Sequence, residues 1–170
     1  MIRKGRAIVT DRGVTVTMAP AGDVIALDLW GDDDARDLCG AITLLHVEPH
    51  RWWLFDAGTH DLAAMIGERG AWAPIGGGLV RATLAGPGWR GLLMVAGLFD
   101  AEDPGFAVGA VAATVIHHVP VRIAVASEAA CDVYCAASYA PALAALWREV
   151  IGRDNVSLSP YLPTETIGSA

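Results

Sequence analysis

Val14, Val16 and Met18 alternate with polar neighbours, and Ile25, Leu27 and Leu29 alternate again with Asp28 on the opposite face. A period of two predicts a pair of half-buried strands, here joined through Pro20, Gly22 and Asp23. The pattern changes after Asp32-Asp33-Asp34, where Ala35, Leu38, Cys39 and Ile42 recur at helical spacing. Carboxylates ahead of such a run predict a helix start. They accept bonds from the unpaired N–H groups and suit the positive end of the helix dipole.

Beyond the apolar segment 43–47, Arg51-Trp52-Trp53-Leu54-Phe55-Asp56 is a bulky run of high strand propensity. Thr59 is placed to cap a helix in which Leu62, Met65 and Ile66 share a face, ended by Gly70. Residues 72–78, with Pro74 and three consecutive glycines, predict a loop, and 79–84 a strand. Gly86-Pro87 opens the next helix and Gly97 closes it. A loop over 100–105 leads to the apolar run 108–116, a turn at 118–120, alternating Val121, Ile123 and Val125, and a further strand over 131–137.

The last helix has the strongest pattern. Ser138 serves as N-cap, Pro141 falls in the first turn where its missing N–H costs nothing, and Gly152 ends the helix. Leu143, Leu146, Trp147, Val150 and Ile151 form one buried stripe. Past Asp154 the periodicity stops, and Pro160, Tyr161 and Pro163 mark a tail that is disordered or extended along another surface. The order of elements predicts an α+β sandwich, with helices packed on a mainly antiparallel sheet. Its parts are an N-terminal arm over 1–13, one domain over 14–152 and a C-terminal tail over 153–170.

Composition narrows the class of function. The 170 residues are 54% apolar and 18% charged, which excludes intrinsic disorder and leaves enough chain to bury a core without a metal or disulfide staple. Twelve basic against 19 acidic residues, a formal −7, oppose a surface that tracks nucleic-acid phosphates. The basic start is followed by no long apolar stretch, and the run 108–116 is half the roughly 20 residues a membrane helix needs. Three cysteines are too few and too odd for a disulfide framework. The expectation is a soluble cytoplasmic protein with neither nucleic acid nor membrane as partner.

Candidate chemistry does not assemble. His117 and His118 point to opposite faces if extended, and Pro49 keeps His46 and His50 off a common helical face. Cys131 and Cys135 on one strand stand about 13 Å apart, past the roughly 6.8 Å a disulfide spans. Gly76-Gly77-Gly78 lacks the strand before it and the helix after it that a phosphate loop needs. Asp100, Glu102 and Asp103 read as a solvated loop. No catalytic, cofactor-binding or metal-ligating set is expected. Six tryptophans and a mean hydropathy of +0.41 offer more apolar surface than a small globule hides, which predicts a standing protein partner.

Four segments resemble a known family. Trp52-Trp53-Leu54-Phe55 with the helix over 59–69 is similar to a W-L-L strand and helix, and Leu84-Ala85-Gly86-Pro87 running to Leu92-Leu93 is similar to an sGp…DLL helix entry. Phe99-Asp100, Pro104, Phe106 and Gly109 fall on an L-D-L-H-P…F…G segment, and Tyr134, Ser138-Tyr139-Ala140 and Trp147 on a Y-V-P-R-S-Y-A…W ending. In that order, over 14–151, they resemble the gamma subunits of heterotetrameric sarcosine oxidases, within the aminomethyltransferase-like, folate-binding fold group. Gly97 where the family has Cys, Ala137 in place of Arg, and 73–76 in place of a D-V-S-D-like turn are departures. They leave the amine, and the choice between oxidase and dehydrogenase, open.

The resemblance implies a ferredoxin-like, aminomethyltransferase-like sandwich and a non-catalytic accessory subunit. In such a complex FAD, FMN, NAD and tetrahydrofolate sit on partner subunits, namely larger alpha and beta flavoproteins with a small delta subunit. Trp72, Trp89, Phe99, Phe106 and Tyr161 are the residues nominated for the subunit interface. The alternative is a free-standing tetrahydrofolate-binding protein or one-carbon transferase of the same fold, with Asp28 or Asp56 as the acid that holds the pterin. A homo-oligomer using the same apolar surface is a third.

Overall fold

The two alternating runs at the start of the chain do become strands, but in different sheets. A computed structural model describes residues 13–160 and 162. In chain order the first half holds β1 (Thr15–Pro20), β2 (Val24–Leu29), α1 (Ala35–Leu38), β3 (Thr43–Glu48), β4 (Arg51–Phe55), α2 (Leu62–Ile66) and β5 (Gly70–Pro74). The second half holds β6 (Leu79–Ala85), α3 (Trp89–Met94), β7 (Val111–Ile116), β8 (Val119–Ser127), β9 (Ala130–Ala136), α4 (Ala140–Ile151) and β10 (Val156–Leu158).

One sheet runs β10-β1-β6-β9-β8-β7 and the other β3-β4-β2-β5. Every pairing is antiparallel except β1 with β10, where Val16 stands opposite Val156 and Met18 opposite Leu158. The segments expected over 108–137 form an antiparallel meander, β7-β8-β9, and its first hairpin turns on His117 and His118.

The period of two decides the layers, because each strand sends alternate side chains to opposite faces. On the larger sheet Val16, Met18, Val80, Ala82, Leu84, Ile123 and Val133 face α3 and α4 and bury Trp89, Leu143 and Trp147. On the smaller sheet Ile25, Leu27, Leu29, Trp52 and Leu54 face α1 and α2 and bury Ala35, Cys39, Leu62 and Ile66. The remaining faces meet each other through Val24, Leu45, Val47 and Tyr134, with Trp53 and Phe55 packed alongside. The result is a helix–sheet–sheet–helix sandwich.

Tyr134 is the centre of the sheet-to-sheet contact, its ring 5.8 Å from Trp53 edge-on and 5.5 Å from Phe55. Such aromatic pairs add about 0.5–1.5 kcal/mol each to simple burial. A chain of charges runs across the same junction. Arg122 of β8 donates to Glu48, Arg51 donates to Glu48 at 3.2 Å, and Arg51 donates to Asp28 at 2.6 Å.

Local details depart from the sequence expectations for identifiable reasons. Asp34 caps α1 as expected, accepting from Arg36 N at 2.8 Å, and that bond holds its carboxyl below the ordinary aspartate value. The helix itself is four residues long and stops before Ile42. Thr59 lies in a single 3-10 turn, and the cap of α2 is Asp61, whose carboxylate accepts from Ala64 N at 3.0 Å. Ser138 is not an N-cap, because 137–139 form a 3-10 turn that leads straight into α4. Pro141 does fall in the first turn, and the predicted stripe carries Leu143, Trp147 and Ile151 into the core. In the tail, β10 extends the larger sheet and Leu162 reaches the core.

Candidate functional site

The stretch 72–78, expected to be a loop, begins within β5, the outer strand of the smaller sheet. Gly70 permits this. A Cβ there would stand 2.3 Å from the Asp28 carbonyl oxygen and 3.0 Å from a Leu29 methyl, so only glycine lets β5 approach β2 so closely. Past Gly70 all four residues of β5 are exposed, and Trp72 is 44% exposed although it lies directly across from Leu27, which is fully buried. The indole therefore stands at the rim of a core.

Beside it the surface dips into a shallow cleft of about 270 Å³, floored by Ile25 and walled by Ala57, Leu62 and Trp72. His60 and Asp61 are its ionisable residues. The Asp61 carboxylate is already engaged as the cap of α2. An apolar wall with a committed carboxylate suits an apolar side chain presented from outside.

The other nominated interface residues have different surroundings. Trp89 is 1% exposed, its indole N–H donates to the Glu128 carbonyl at 3.0 Å, and the Arg90 guanidinium lies 4.3 Å from its ring. Phe106 is buried against it at 6.2 Å, and Phe99, half-buried, meets Phe106 edge-on at 5.3 Å. Arg90 binds this cluster by donating to the carbonyls of Ala101 (2.5 Å) and Phe106 (2.9 Å). Trp89 and Phe106 are thus core residues, turned inward by the Gly86-Pro87-Gly88 entry to α3, and they present almost no surface to a partner. Tyr161 lies outside the described residues. Sequence reasoning missed Trp30, Leu98, Val108 and Tyr139, all large and exposed. Trp30 carried a usable signal, a large apolar residue set against Gly31 and three acids in a turn.

The acids nominated for a pterin do not form a pocket. Asp28 accepts from Nε and Nη2 of Arg51, at 2.6 and 3.2 Å, on the rim of the sheet junction. Asp56 is exposed in a left-handed turn with φ of 54°. The three thiols are buried and unbridged. Burial raises Cys39 and Cys131 above the ordinary thiol value and pushes Cys135 up to about 11, so none is a ready thiolate near neutral pH. Among the described residues no three His, Cys, Asp or Glu side chains could hold a metal ion, and no helix is long and apolar enough to cross a membrane.

No protein-family model and no curated protein sequence matches the chain. Solved structures do. The heterotetrameric sarcosine oxidase from Corynebacterium sp. U-96, in complex with pyrrole 2-carboxylate, superimposes with a TM-score of 0.73 at 16% identity, over 83% of this chain and 85% of that one. Glycine cleavage system aminomethyltransferase T from Bartonella henselae gives 0.60 at 15% identity, over 88% of this chain and 48% of that one. The fold is aminomethyltransferase-like. The expected α+β sandwich is present in it, and this chain spans about half the length of that transferase. Identities this low establish the shared fold, and the site has to be argued from its own residues.

Proposed function

We propose that this chain is a non-catalytic accessory subunit, of the gamma type, in a multi-subunit flavin-dependent complex that oxidises an N-methyl amino acid or a similar secondary amine. The supporting observation is the matched extent of the likeness, 83% of this chain on 85% of a chain from a heterotetrameric sarcosine oxidase structure. A likeness over most of both chains favours a subunit of that kind over a match confined to one domain of a larger chain. In this reading larger alpha and beta flavoprotein subunits and a small delta subunit are the partners. They carry FAD, FMN, NAD and tetrahydrofolate, and the assembly is cytoplasmic. In this reading the chain supplies packing and no reacting group; the engaged Asp61, the ion-paired Asp28 and the buried thiols are compatible with it.

Native mass spectrometry of the tagged chain, purified from its own cells, tests the proposal. Recovery with two or three larger subunits and a flavin absorbance is expected. A colourless monomer or homo-oligomer overturns it. The free-standing folate protein remains the competing reading, and calorimetry with tetrahydrofolate on the isolated chain separates the two, since an accessory subunit binds none.

A further inference from the structure

We propose that the outer edge of β5 is a strand-addition site for an extended, cationic segment of a protein partner, with one of its apolar side chains seated in the Trp72 cleft. The ladder geometry supplies the first argument. Trp30 donates to the Arg69 carbonyl and Ile75 to the Val24 carbonyl, each at 2.8 Å, which sets the alternation between β2 and β5. Ala71 and Ala73 then bond inward to β2, while the N–H and C=O of Gly70 and Trp72 point outward. No strand lies beyond them among the described residues. An edge strand with outward donors and an exposed aromatic ring is the surface on which extended peptides add, the backbone supplying affinity and a pocket supplying choice.

Charge selects the occupant. Asp32 and Asp33 follow Trp30, whose N–H is bonded at the head of β5, and Glu68 precedes it; all three carboxylates are exposed. Of the neighbouring guanidiniums, Arg69 is turned back to donate to the Ile66 and Met65 carbonyls, Arg36 is paired with Asp34, and Arg51 with Asp28 and Glu48. This end of the strand is therefore negative and favours a segment bearing lysine or arginine. A second copy of this chain is the poorer occupant. Pairing two β5 strands about Trp72 would set Pro74, which has no N–H, against the Gly70 carbonyl twice over, between molecules each carrying −7. A foreign segment can end before Pro74.

The site is read from geometry, and only the identity of the partner rests on the accessory-subunit reading. The test uses the full chain with two blocked pentapeptides, Lys-Val-Thr-Val-Lys and Glu-Val-Thr-Val-Glu, and a third cationic peptide N-methylated on its bonding face. Saturable binding of the first is expected, with amide exchange at Gly70 and Trp72 slowed about tenfold or more, and little binding of the other two. Trp72→Pro removes an outward N–H while leaving the inward ladder, and is expected to abolish binding. Trp72→Thr keeps the strand and weakens binding through the cleft alone. Equal binding of the acidic or N-methylated peptide, unchanged binding by both variants, or unprotected Gly70 and Trp72 amides overturn the proposal. So does dimerisation that Trp72→Pro abolishes and the cationic peptide fails to compete. If the native complex assembles equally well around Trp72→Pro, this edge is not its contact and the accessory reading stands. If neither chain yields a complex, the accessory reading falls while the peptide titration still decides the edge.

Discussion

Two adjacent glycines of the same loop should answer the same substitution in opposite directions. A Cβ on Gly76 would lie 1.9 Å from the Gly22 carbonyl oxygen and 2.9 Å from Val24 N, whereas one on Gly77 meets nothing within 4 Å. Gly76 sits where the chain crosses from β1 to β2, between the Ala21-to-Leu79 bond (3.0 Å) and the Ile75-to-Val24 bond (2.8 Å). Ordinary contact begins near 3.4 Å, so Gly76→Ala must open this crossing by about 1.5 Å. Losing or stretching two buried backbone bonds, at about 1 kcal/mol each plus the exposed desolvation cost, puts the penalty at about 3 kcal/mol. For a domain of this size that lowers Tm by about 6–12 °C. Gly77→Ala, at a position with ordinary backbone angles, is expected to gain about 0.4–1 kcal/mol by restricting the unfolded chain. Calorimetric melts of both variants, with amide exchange at Ala21 and Ile75, measure the difference. Equal shifts of Tm would falsify the account of this crossing and of why the glycine triplet is there.

Two further expectations concern the junction and the meander. Burial, reinforced by the Asp132 charge, pushes the Tyr134 phenol up to about 12, and burial pushes Cys135 up to about 11, so both stay neutral longer in the folded chain than in the unfolded one. Their contribution is fully present below about pH 9 and is lost as pH rises toward 12, with Tyr134 accounting for about 3 kcal/mol of that fall. Tyr134→Phe should flatten the loss above pH 10, and urea melts showing the same alkaline slope in both chains would count against it. In the β7–β8 hairpin, His117 and His118 adopt φ of 46° and 70°, a left-handed pair that favours Asn-Gly. The double substitution His117→Asn with His118→Gly should add about 1 kcal/mol and raise Tm by about 2–4 °C; an unchanged or lower Tm refutes the strain argument.

The fold was legible wherever a periodicity ran long enough to be read. Leu143, Trp147 and Ile151 define α4, and Val121, Ile123 and Val125 define the core face of β8, because one face of each is fully buried and cannot slip. What failed was short or depended on distant partners. Nothing local to Val16 or Ile25 says that their strands belong to different sheets. The turn between them crosses layers, and only the pairing of β1 with β6 and β10 decides it. Caps were misplaced by two residues at Thr59 and by one at Ser138, where a 3-10 turn precedes the helix and shifts its first turn along the chain.

The candidate site shows the same limit in sharper form. Trp72 and Trp89 read alike in the sequence, each beside glycine and proline, yet one stands at a rim and the other is sealed. For Trp89 the Gly86-Pro87-Gly88 turn aims the ring inward, where its N–H finds the Glu128 carbonyl and Arg90 covers its face. For Trp72 the deciding residue is Gly70, which draws β5 against β2 and leaves the strand with no neighbour on its far side among the described residues. Exposure is a property of sheet order, and sheet order is set by long-range pairing that no window of residues contains. Pro74 is the one local clue, since a residue without an N–H is tolerated in a sheet where its missing donor faces outward. That clue places 70–74 at an edge, and an edge with a half-exposed indole is where a partner's chain can be read.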